Sequence, residues 1–104
     1  MTLDEYQRAA RRTIHPDLSD VDRLVDAAAG LAEEAGEVLG QVRKHVYQAR
    51  PFDRDAFREE LGDALWCIAA AAAAAGVTLD EVARGNLDKL ARRWPQRHDP
   101  DPER

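Results

Sequence analysis

Residues 57–76 read FREELGDALWCIAAAAAAAG. Apolar side chains recur in this stretch at spacings of three and four, which is typical of an amphipathic helix with one buried face. Asp53 stands before the stretch as a candidate helix cap, and Gly76 follows it where a helix commonly ends. The pattern predicts a helix over residues 54–75. Its apolar stripe consists of Phe57, Leu61, Ala64, Leu65, Ile68 and Ala72.

The second half of this helix, residues 67–75, carries no polar side chain on any face. A helix that is apolar all round must be covered all round, and four helices in a small monomer rarely provide such cover. We therefore expect this segment to lie at a subunit interface. The alternative is a central helix that is covered within one protomer.

Three further helix starts are marked by a hydroxyl residue three positions before an acid, which is the capping-box spacing. These residues are Thr2, Ser19 and Thr78. The starts and the following prolines predict helices over 3–14, 20–49 and 79–93. The stripe of the second helix is Leu24, Ala27, Ala28, Leu31, Ala35, Val38, Val42 and Val46, and that of the fourth is Leu79, Val82, Ala83, Leu87, Leu90 and Trp94. No segment alternates with period two, so we expect an all-α, four-helix bundle-like fold.

The chain of 104 residues has the size of one domain, which we expect to span residues 1–97, with a disordered polar tail over 98–104. A net charge of −5 argues against nucleic acid as a partner. The lone Cys67 allows no internal disulfide, which is typical of a reducing compartment. The sequence shows neither a signal-peptide pattern nor an apolar run long enough to span a bilayer. We expect a soluble cytoplasmic protein that does not bind membranes.

Two acidic pairs stand out, Glu34 with Glu37 and Glu60 with Asp63. Within each pair the residues lie roughly 60° apart on their helix, on the same flank of the apolar stripe. In an antiparallel hairpin the pairs match in height to within about one turn, so four carboxylates can converge. Oxygen ligands without histidine or thiolate favour magnesium, manganese or calcium. The alternative is that each pair belongs to a solvated helix face.

A glycine lies inside each acidic motif, Gly36 in the first and Gly62 in the second. Glycine in a helix interior costs roughly 1 kcal/mol relative to alanine. A glycine kept at that cost indicates that another helix or a ligand approaches closely.

At these residues the chain resembles the MazG-like, all-α nucleoside triphosphate pyrophosphohydrolases. Their signature reads here as Glu33-Glu34-Ala35-Gly36-Glu37, then 22 residues, then Glu60-Leu61-Gly62-Asp63. The resemblance extends to Tyr6-Gln7 in the first helix and to the ending from Asn86 to Pro95, so that it covers about residues 3–95.

The resemblance implies hydrolysis of a nucleoside triphosphate between its α- and β-phosphates, giving the monophosphate and pyrophosphate. It implies Mg²⁺, or Mn²⁺, on Glu34, Glu37, Glu60 and Asp63. It also implies that Glu33 positions or deprotonates the attacking water, although this side chain can equally be solvated. Finally, it implies a dimer, or a tetramer of two dimers, that completes the fold and lines the site from more than one subunit.

Five residues are candidate substrate contacts, namely Asn86, Lys89, Arg93, Trp66 and Lys44. For the three basic residues the alternative is a solvated cation near a helix end, where it favours the helix dipole. For Trp66 the alternatives are stacking on a nucleobase and packing in the core. Cys67 stands where relatives often carry tyrosine, which leaves base recognition open.

The leading functional interpretation is a house-cleaning enzyme that hydrolyses normal or damaged ribo- or deoxyribonucleoside triphosphates. A second reading within the superfamily is phosphoribosyl-ATP pyrophosphohydrolase, whose acids are similarly arranged. A third is a non-catalytic helical interaction module, in which the acids form a surface and the alanine-rich helix forms a dimer seam. Release of pyrophosphate in the presence of a divalent metal distinguishes the enzyme from the module.

Overall fold

The computed structural model describes residues 1–95, and this part of the chain folds into four α-helices without strands. The helices are α1 (Leu3–Arg11), α2 (Asp20–Val46), α3 (Arg54–Ala74) and α4 (Leu79–Arg93). The all-α prediction is confirmed. The predicted tail over 98–104 lies outside the described residues.

Each helix begins at the predicted residue because its start is fixed by a local hydrogen bond. The side chains of Thr2, Ser19, Asp53 and Thr78 each accept a hydrogen bond from the backbone N–H three residues later. Of these four caps, the one at Thr78 forms both halves of a capping box, since the Glu81 carboxylate accepts a hydrogen bond from the Thr78 backbone N–H.

Three helices end earlier than predicted. After Arg11 each backbone N–H donates to the carbonyl three residues earlier instead of four, so the α-helical pattern stops. The Thr13 hydroxyl also donates to the Ala10 carbonyl at 2.7 Å at this end of α1. After α2, Ala49 adopts a left-handed conformation with φ of 53°, which a helix cannot continue through. After α3, Gly76 adopts φ of 76°, a region that favours glycine.

Helices α2 and α3 form an antiparallel hairpin that makes the most extensive helix–helix contact of the described chain. The helices approach closely at Gly30, where an added Cβ would lie 3.0 Å from the Cys67 Sγ. One helical turn further toward the loop, the same pairing brings Glu34 level with Asp63. The hairpin therefore places the two acidic motifs opposite each other.

Helix α1 packs against α3 and the start of α4, and the buried side chain of Gln7 ties it to the α3–α4 turn. Its Nε2 donates to the Val77 carbonyl at 3.0 Å and to the Ala69 carbonyl at 3.4 Å, and its Oε1 accepts from the Leu79 N–H at 3.0 Å. Helix α4 leaves α3 at an angle of 101°. The side-chain amide of Gln7 thus pairs with backbone groups of the turn that sets the direction of α4.

The alanine-rich segment of α3 is covered in part within the protomer. Cys67, Ala69, Ala70 and Ala72 are buried, and Ala69 and Ala72 pack with Ala10 and Leu79 into the core cluster. Ile68 and Ala75 are exposed, and the other three alanines of the segment are half-buried. One side of the segment is therefore packed inside the protomer, and its role at a subunit interface stays a prediction.

Large apolar side chains on α2, α3 and α4 remain uncovered instead. Of the predicted α2 stripe only Ala27 is buried, and of the α4 stripe only Leu79 is buried. Leu87, for example, is 65% exposed. Among the described residues no large side chain is less than 2% exposed. The protomer therefore presents apolar surface on α2 and α4 as well as on α3.

None of the four described helices is both long and apolar enough to cross a membrane alone; α3 and α4 meet the length and composition criterion only when taken together across their bend.

Candidate metal centre

Three of the four predicted metal ligands converge between α2 and α3. One carboxylate oxygen from each of Glu34, Glu60 and Asp63 lies within 4.8 Å of the other two. Around Mg²⁺ at about 2.1 Å, adjacent ligand oxygens are about 3.0 Å apart and opposite ones about 4.2 Å apart, so the three oxygens would have to move together by up to about 2 Å. Glu34 and Glu60 are half-buried and Asp63 is exposed. Modest side-chain movements would bring the cluster to the size that a small divalent cation requires.

The surroundings of Glu34 raise its pKa from 4.5 to about 7. The largest cause is a side-chain hydrogen bond with Glu60, followed by partial desolvation and by the negative charges of Asp63, Glu60 and Glu33. Like charges this close cannot all ionise unless a proton or a cation compensates them. The cluster therefore favours positive charge at its centre.

Glu34 also provides a direct test of whether a metal fits. Its Oε2 is shielded from solvent and has no hydrogen-bond partner. A shielded polar oxygen without a partner costs free energy, and a cation held among the three carboxylates would satisfy it. All the donors are hard oxygens, which Mg²⁺ and Mn²⁺ prefer. The residues thus fit a divalent ion of that class.

The other two acids of the first motif point into solvent. Glu37 and Glu33 are both exposed, and neither belongs to the converging set. Glu33 is still near enough for its charge to raise the pKa of Glu34. The structure therefore brings together three of the four predicted ligands, and the role of Glu37 as a ligand stays a prediction.

The predicted contacts on α4 do not meet the cluster within one protomer. Asn86, Lys89 and Arg93 are exposed on α4, and no Cα atom of α4 comes within 8 Å of one in α2. Lys44 is exposed near the end of α2 and lines a cavity beside the α2–α3 loop. The roles of these residues in substrate binding stay predictions.

Trp66 is half-buried and packs at the edge of the core cluster. Its indole Nε1 donates to the Thr13 Oγ1 at 2.7 Å, which ties α3 to the end of α1. These contacts are those of the packing alternative. Stacking of Trp66 on a nucleobase stays a prediction.

Two residues that the sequence did not single out for the site lie beside the acids. Burial raises the pKa of the Cys67 thiol, with added contributions from Glu34 and Asp63, so the thiol stays protonated and is a poor nucleophile. Burial and the charge of Asp63 raise the pKa of Tyr6. The position of Cys67 one helical turn after Asp63 is the signal that could have placed it here.

The glycines of the acidic motifs do not mark a close helix contact. A Cβ added at Gly36 or Gly62 would have no neighbour within 4 Å. The prediction of close approach by another helix is therefore wrong within the protomer, where that role belongs to Gly30. Approach by a ligand or by a second subunit stays a prediction.

The chain was compared with known protein families, curated proteins and solved structures. The family model of the MazG nucleotide pyrophosphohydrolase domain matches residues 25–98, which include both acidic motifs. No curated protein and no solved structure matches the chain. The family match covers most of the sequence and includes most of α2 and all of α3 and α4. The chain belongs to the MazG family of nucleotide pyrophosphohydrolases.

Proposed function

We propose that this protein hydrolyses a nucleoside triphosphate, normal or damaged, to the monophosphate and pyrophosphate with the help of Mg²⁺ or Mn²⁺. The observation that carries the proposal is the convergence of Glu34, Glu60 and Asp63, together with the shielded Oε2 of Glu34, which has no hydrogen-bond partner. Membership in a family of nucleotide pyrophosphohydrolases supplies the reaction class. We place the activity in the cytoplasm as part of nucleotide-pool house-cleaning.

Glu34, Glu60 and Asp63 would hold the metal, with Glu37 as the fourth ligand one turn along α2. A bound divalent ion supplies positive charge that neutralises and orients the triphosphate and makes a water more acidic. Without such a cation, an acidic protein with a net charge of −5 would repel its substrate. The proposal therefore accounts for why an acidic cleft binds a polyanion.

Glu33 is the candidate proton acceptor. It is exposed and lies near enough to Glu34 to act on its pKa, so it can accept a proton from a water beside the cluster. The water oxygen adds to a phosphorus of the α–β anhydride while the bridging P–O bond breaks. The bond's electron pair leaves on the bridging oxygen, and the water proton passes to Glu33.

We further propose that the active form is a homo-oligomer, a dimer or a tetramer of two dimers. The exposed apolar side chains of α2 and α4 support it, because patches of this kind mark protein interfaces. A second copy could also bring Asn86, Lys89 and Arg93 to the acids, which α4 of the same protomer does not approach. The substrate site would then be complete only in the oligomer.

Pyrophosphate release from a panel of NTPs, dNTPs, modified dNTPs and phosphoribosyl-ATP tests the proposal. We expect release that requires Mg²⁺ or Mn²⁺ and that is abolished by EDTA. Glu37→Gln and Asp63→Asn should each lower turnover by about 100-fold or more, since each weakens the metal site. Circular dichroism should show unchanged helicity in both variants.

Glu59→Gln is the matched control, because Glu59 is an exposed acid next to Glu60 that does not belong to the cluster. This variant should retain activity. Absence of turnover on every nucleotide would favour the interaction module, and preference for phosphoribosyl-ATP would favour the phosphoribosyl-ATP pyrophosphohydrolase. Full activity in Glu37→Gln or Asp63→Asn would refute the four-carboxylate assignment.

A further inference from the structure

A cavity of about 270 Å³ lies between α1 and the turn that joins α3 to α4. One wall is a face of α1 that carries Asp4, Arg8 and Arg11, at spacings of four and three residues. The other wall consists of residues from the end of α3 and from the turn, between Ala73 and Thr78. The cavity is therefore part of the joint that α1 makes with α4.

This cavity is remote from the acidic cluster of the same protomer. Ala73 follows Asp63 by ten residues on α3, which corresponds to about 15 Å of helix rise. The buried Ala69 and Ala72 lie between these two positions along the helix. A compact ligand in the cavity would therefore not reach the metal ligands, so the cavity is separate from the proposed reaction site.

The charge of the lining favours an anion. Arg8 and Arg11 are exposed, and within residues 1–95 neither side chain makes a hydrogen bond or an ion pair. The acid of the lining, Asp4, accepts a hydrogen bond from the Asp80 N–H at 3.2 Å. Two arginines and one aspartate leave a net charge of +1 in the lining of a chain whose net charge is −5. The opposite dipole ends of α3 and α4 meet at the turn and offset each other.

The lining can offer three donors to one ligand group. Residues three apart on a helix are about 5–6 Å apart at Cβ, so Arg8 and Arg11 can bind the same group. Thr78 Oγ1 accepts from the Glu81 N–H at 3.0 Å, which leaves its hydroxyl proton for a ligand. A Cβ at Gly76 would have no neighbour within 4 Å, so the space beside the turn is open. Planar guanidinium groups suit the oxygens of phosphate and carboxylate groups.

We infer that this cavity is a second ligand site, which binds a compact oxyanion, a phosphate or a carboxylate group, between Arg8 and Arg11 of α1 and Thr78, the cap of α4. The inference goes beyond the proposed reaction and does not depend on it. The Gln7 Oε1 already links α1 to α4 by accepting from the Leu79 N–H at 3.0 Å. A ligand held by both elements adds a second link, so it stabilises the direction of α4.

Calorimetry on the metal-free protein in EDTA and at low ionic strength tests the site. Without metal the acidic cluster repels anions, so any anion that binds must bind elsewhere. We expect the wild type to bind inorganic phosphate, adenosine monophosphate or citrate at millimolar concentration. Arg8→Gln and Arg11→Gln should each weaken this binding by about tenfold or more, as for loss of one charge-assisted hydrogen bond.

Arg12→Gln is the matched control, because Arg12 is an exposed cation next to Arg11 that does not line the cavity. It removes the same charge and should bind like the wild type. Affinities of Arg8→Gln and Arg11→Gln within twofold of the Arg12→Gln value would overturn the inference, as would a wild type that binds none of the three ligands. Equal affinities for the three would show that the oxyanion alone is recognised, and tighter binding of one would identify its source. Circular dichroism confirms that each variant is folded.

Hydrogen exchange tests the link between α1 and α4. The backbone N–H groups of Leu79 and Asp80 bond to Gln7 and Asp4 on α1, so a bound ligand should slow their exchange in the wild type. The same ligand concentration should have less effect in Arg11→Gln. Unchanged exchange in the wild type at saturating ligand would show that the ligand does not link the two helices.

Discussion

Glu33 and Glu34 are neighbours in the sequence but differ in surroundings because a helix turns by about 100° per residue. That rotation directs Glu34 toward α3, where its carboxylate meets Glu60 and Asp63, and leaves Glu33 in solvent. The same acid type thus yields a candidate ligand and a candidate proton acceptor at consecutive positions. Position on the helix, more than residue type, separates the two roles.

The raised pKa of Glu34 predicts how the metal-free protein responds to pH. In the unfolded chain its carboxyl titrates near 4.5, whereas in the folded chain it titrates near 7. Between these values the folded state holds a proton that the unfolded state has lost, so this group makes stability fall as pH rises toward 7. In EDTA, urea should unfold the protein more easily at pH 8 than at pH 5.5, as followed by circular dichroism.

Glu34→Gln should reduce this difference between the two pH values, because the amide cannot ionise. Glu59→Gln should leave the difference as in the wild type. Mg²⁺ should raise the stability of the wild type at pH 8, since it replaces the proton as the compensating charge. An unchanged pH dependence in Glu34→Gln would contradict the environment described for this carboxyl.

The spacing of the acids was sufficient to predict that Glu34, Glu60 and Asp63 converge, because helix geometry fixes the direction of each side chain. It was not sufficient for Glu37, which is exposed and does not belong to the converging set. The rotamer of an exposed side chain depends on the charges around it. No pattern of residue types contains that information.

At the scale of elements, the α2–α3 hairpin determines the geometry of the site, and its closest described glycine contact is that between Gly30 and Cys67. Two helices can approach this closely only where one of them lacks a side chain. The contact lies one turn from Glu34 and Asp63, so the separation of the helices there sets the distance between their carboxylates. Packing at Gly30 and the size of the metal site are therefore coupled.

A double-mutant cycle tests this coupling. Gly30→Ala gains about 1 kcal/mol of helix propensity but places its Cβ 3.0 Å from the Cys67 Sγ, and overpacking of this kind costs about 1–3 kcal/mol. We expect the single variant to be destabilised by up to about 2 kcal/mol in urea denaturation. In a Cys67→Ala background the same change should stabilise the protein by about 1 kcal/mol.

Gly85→Ala is the control for propensity alone, because a Cβ at Gly85 would have no neighbour within 4 Å. It should stabilise both backgrounds equally. If Gly30→Ala has the same effect with and without the Cys67 thiol, the close contact does not limit the hairpin.

Helix starts were predictable to the residue, whereas helix ends were not. A start such as Ser19 depends on a hydrogen bond to a backbone N–H three residues away, which the local sequence contains. The end of α2 depends on the left-handed Ala49 and on His45 reaching the Arg50 carbonyl. These features arise from how the loop closes on the helix, so the sequence predicted α2 three residues too long.

At the scale of the whole molecule, the protomer buries several alanines of α3 and exposes many of its larger apolar side chains. On α4, Leu87 is 65% exposed and Leu90 is 43% exposed. Burial of a leucine side chain contributes about 1.5–3 kcal/mol, so a partner that covers this stripe would gain several such contributions. The sequence could not assign these residues to the inside or the outside, because apolar periodicity is the same for a core and for an interface.

Light scattering at micromolar concentration should therefore show a dimer or a tetramer. Leu87→Asp combined with Leu90→Asp should shift the protein toward a monomer, whereas the exposed control Asp88→Asn should not. A well-folded wild-type monomer under these conditions would rule out the assembly that we propose.

A complementation experiment tests whether α4 acts across subunits. Asp63→Asn and Lys89→Gln, each with low activity alone, should recover part of the activity when they are mixed under conditions that allow subunits to exchange. In a mixed dimer one of the two sites would combine an intact acidic cluster with an intact Lys89. No recovery despite demonstrated exchange would mean that Lys89 does not act in trans.

Gln7 shows that the region shared with the family and the unit that folds are not the same. The family match begins at residue 25 and leaves out α1, yet the amide of Gln7 on α1 satisfies the backbone groups that orient α4. A fragment that starts at residue 25 would keep the acidic motifs but lose the hydrogen bonds of Gln7. It would retain the proposed reactive residues, but the direction of α4 would no longer be fixed. A domain boundary taken from the family match alone would therefore divide a unit that folds together.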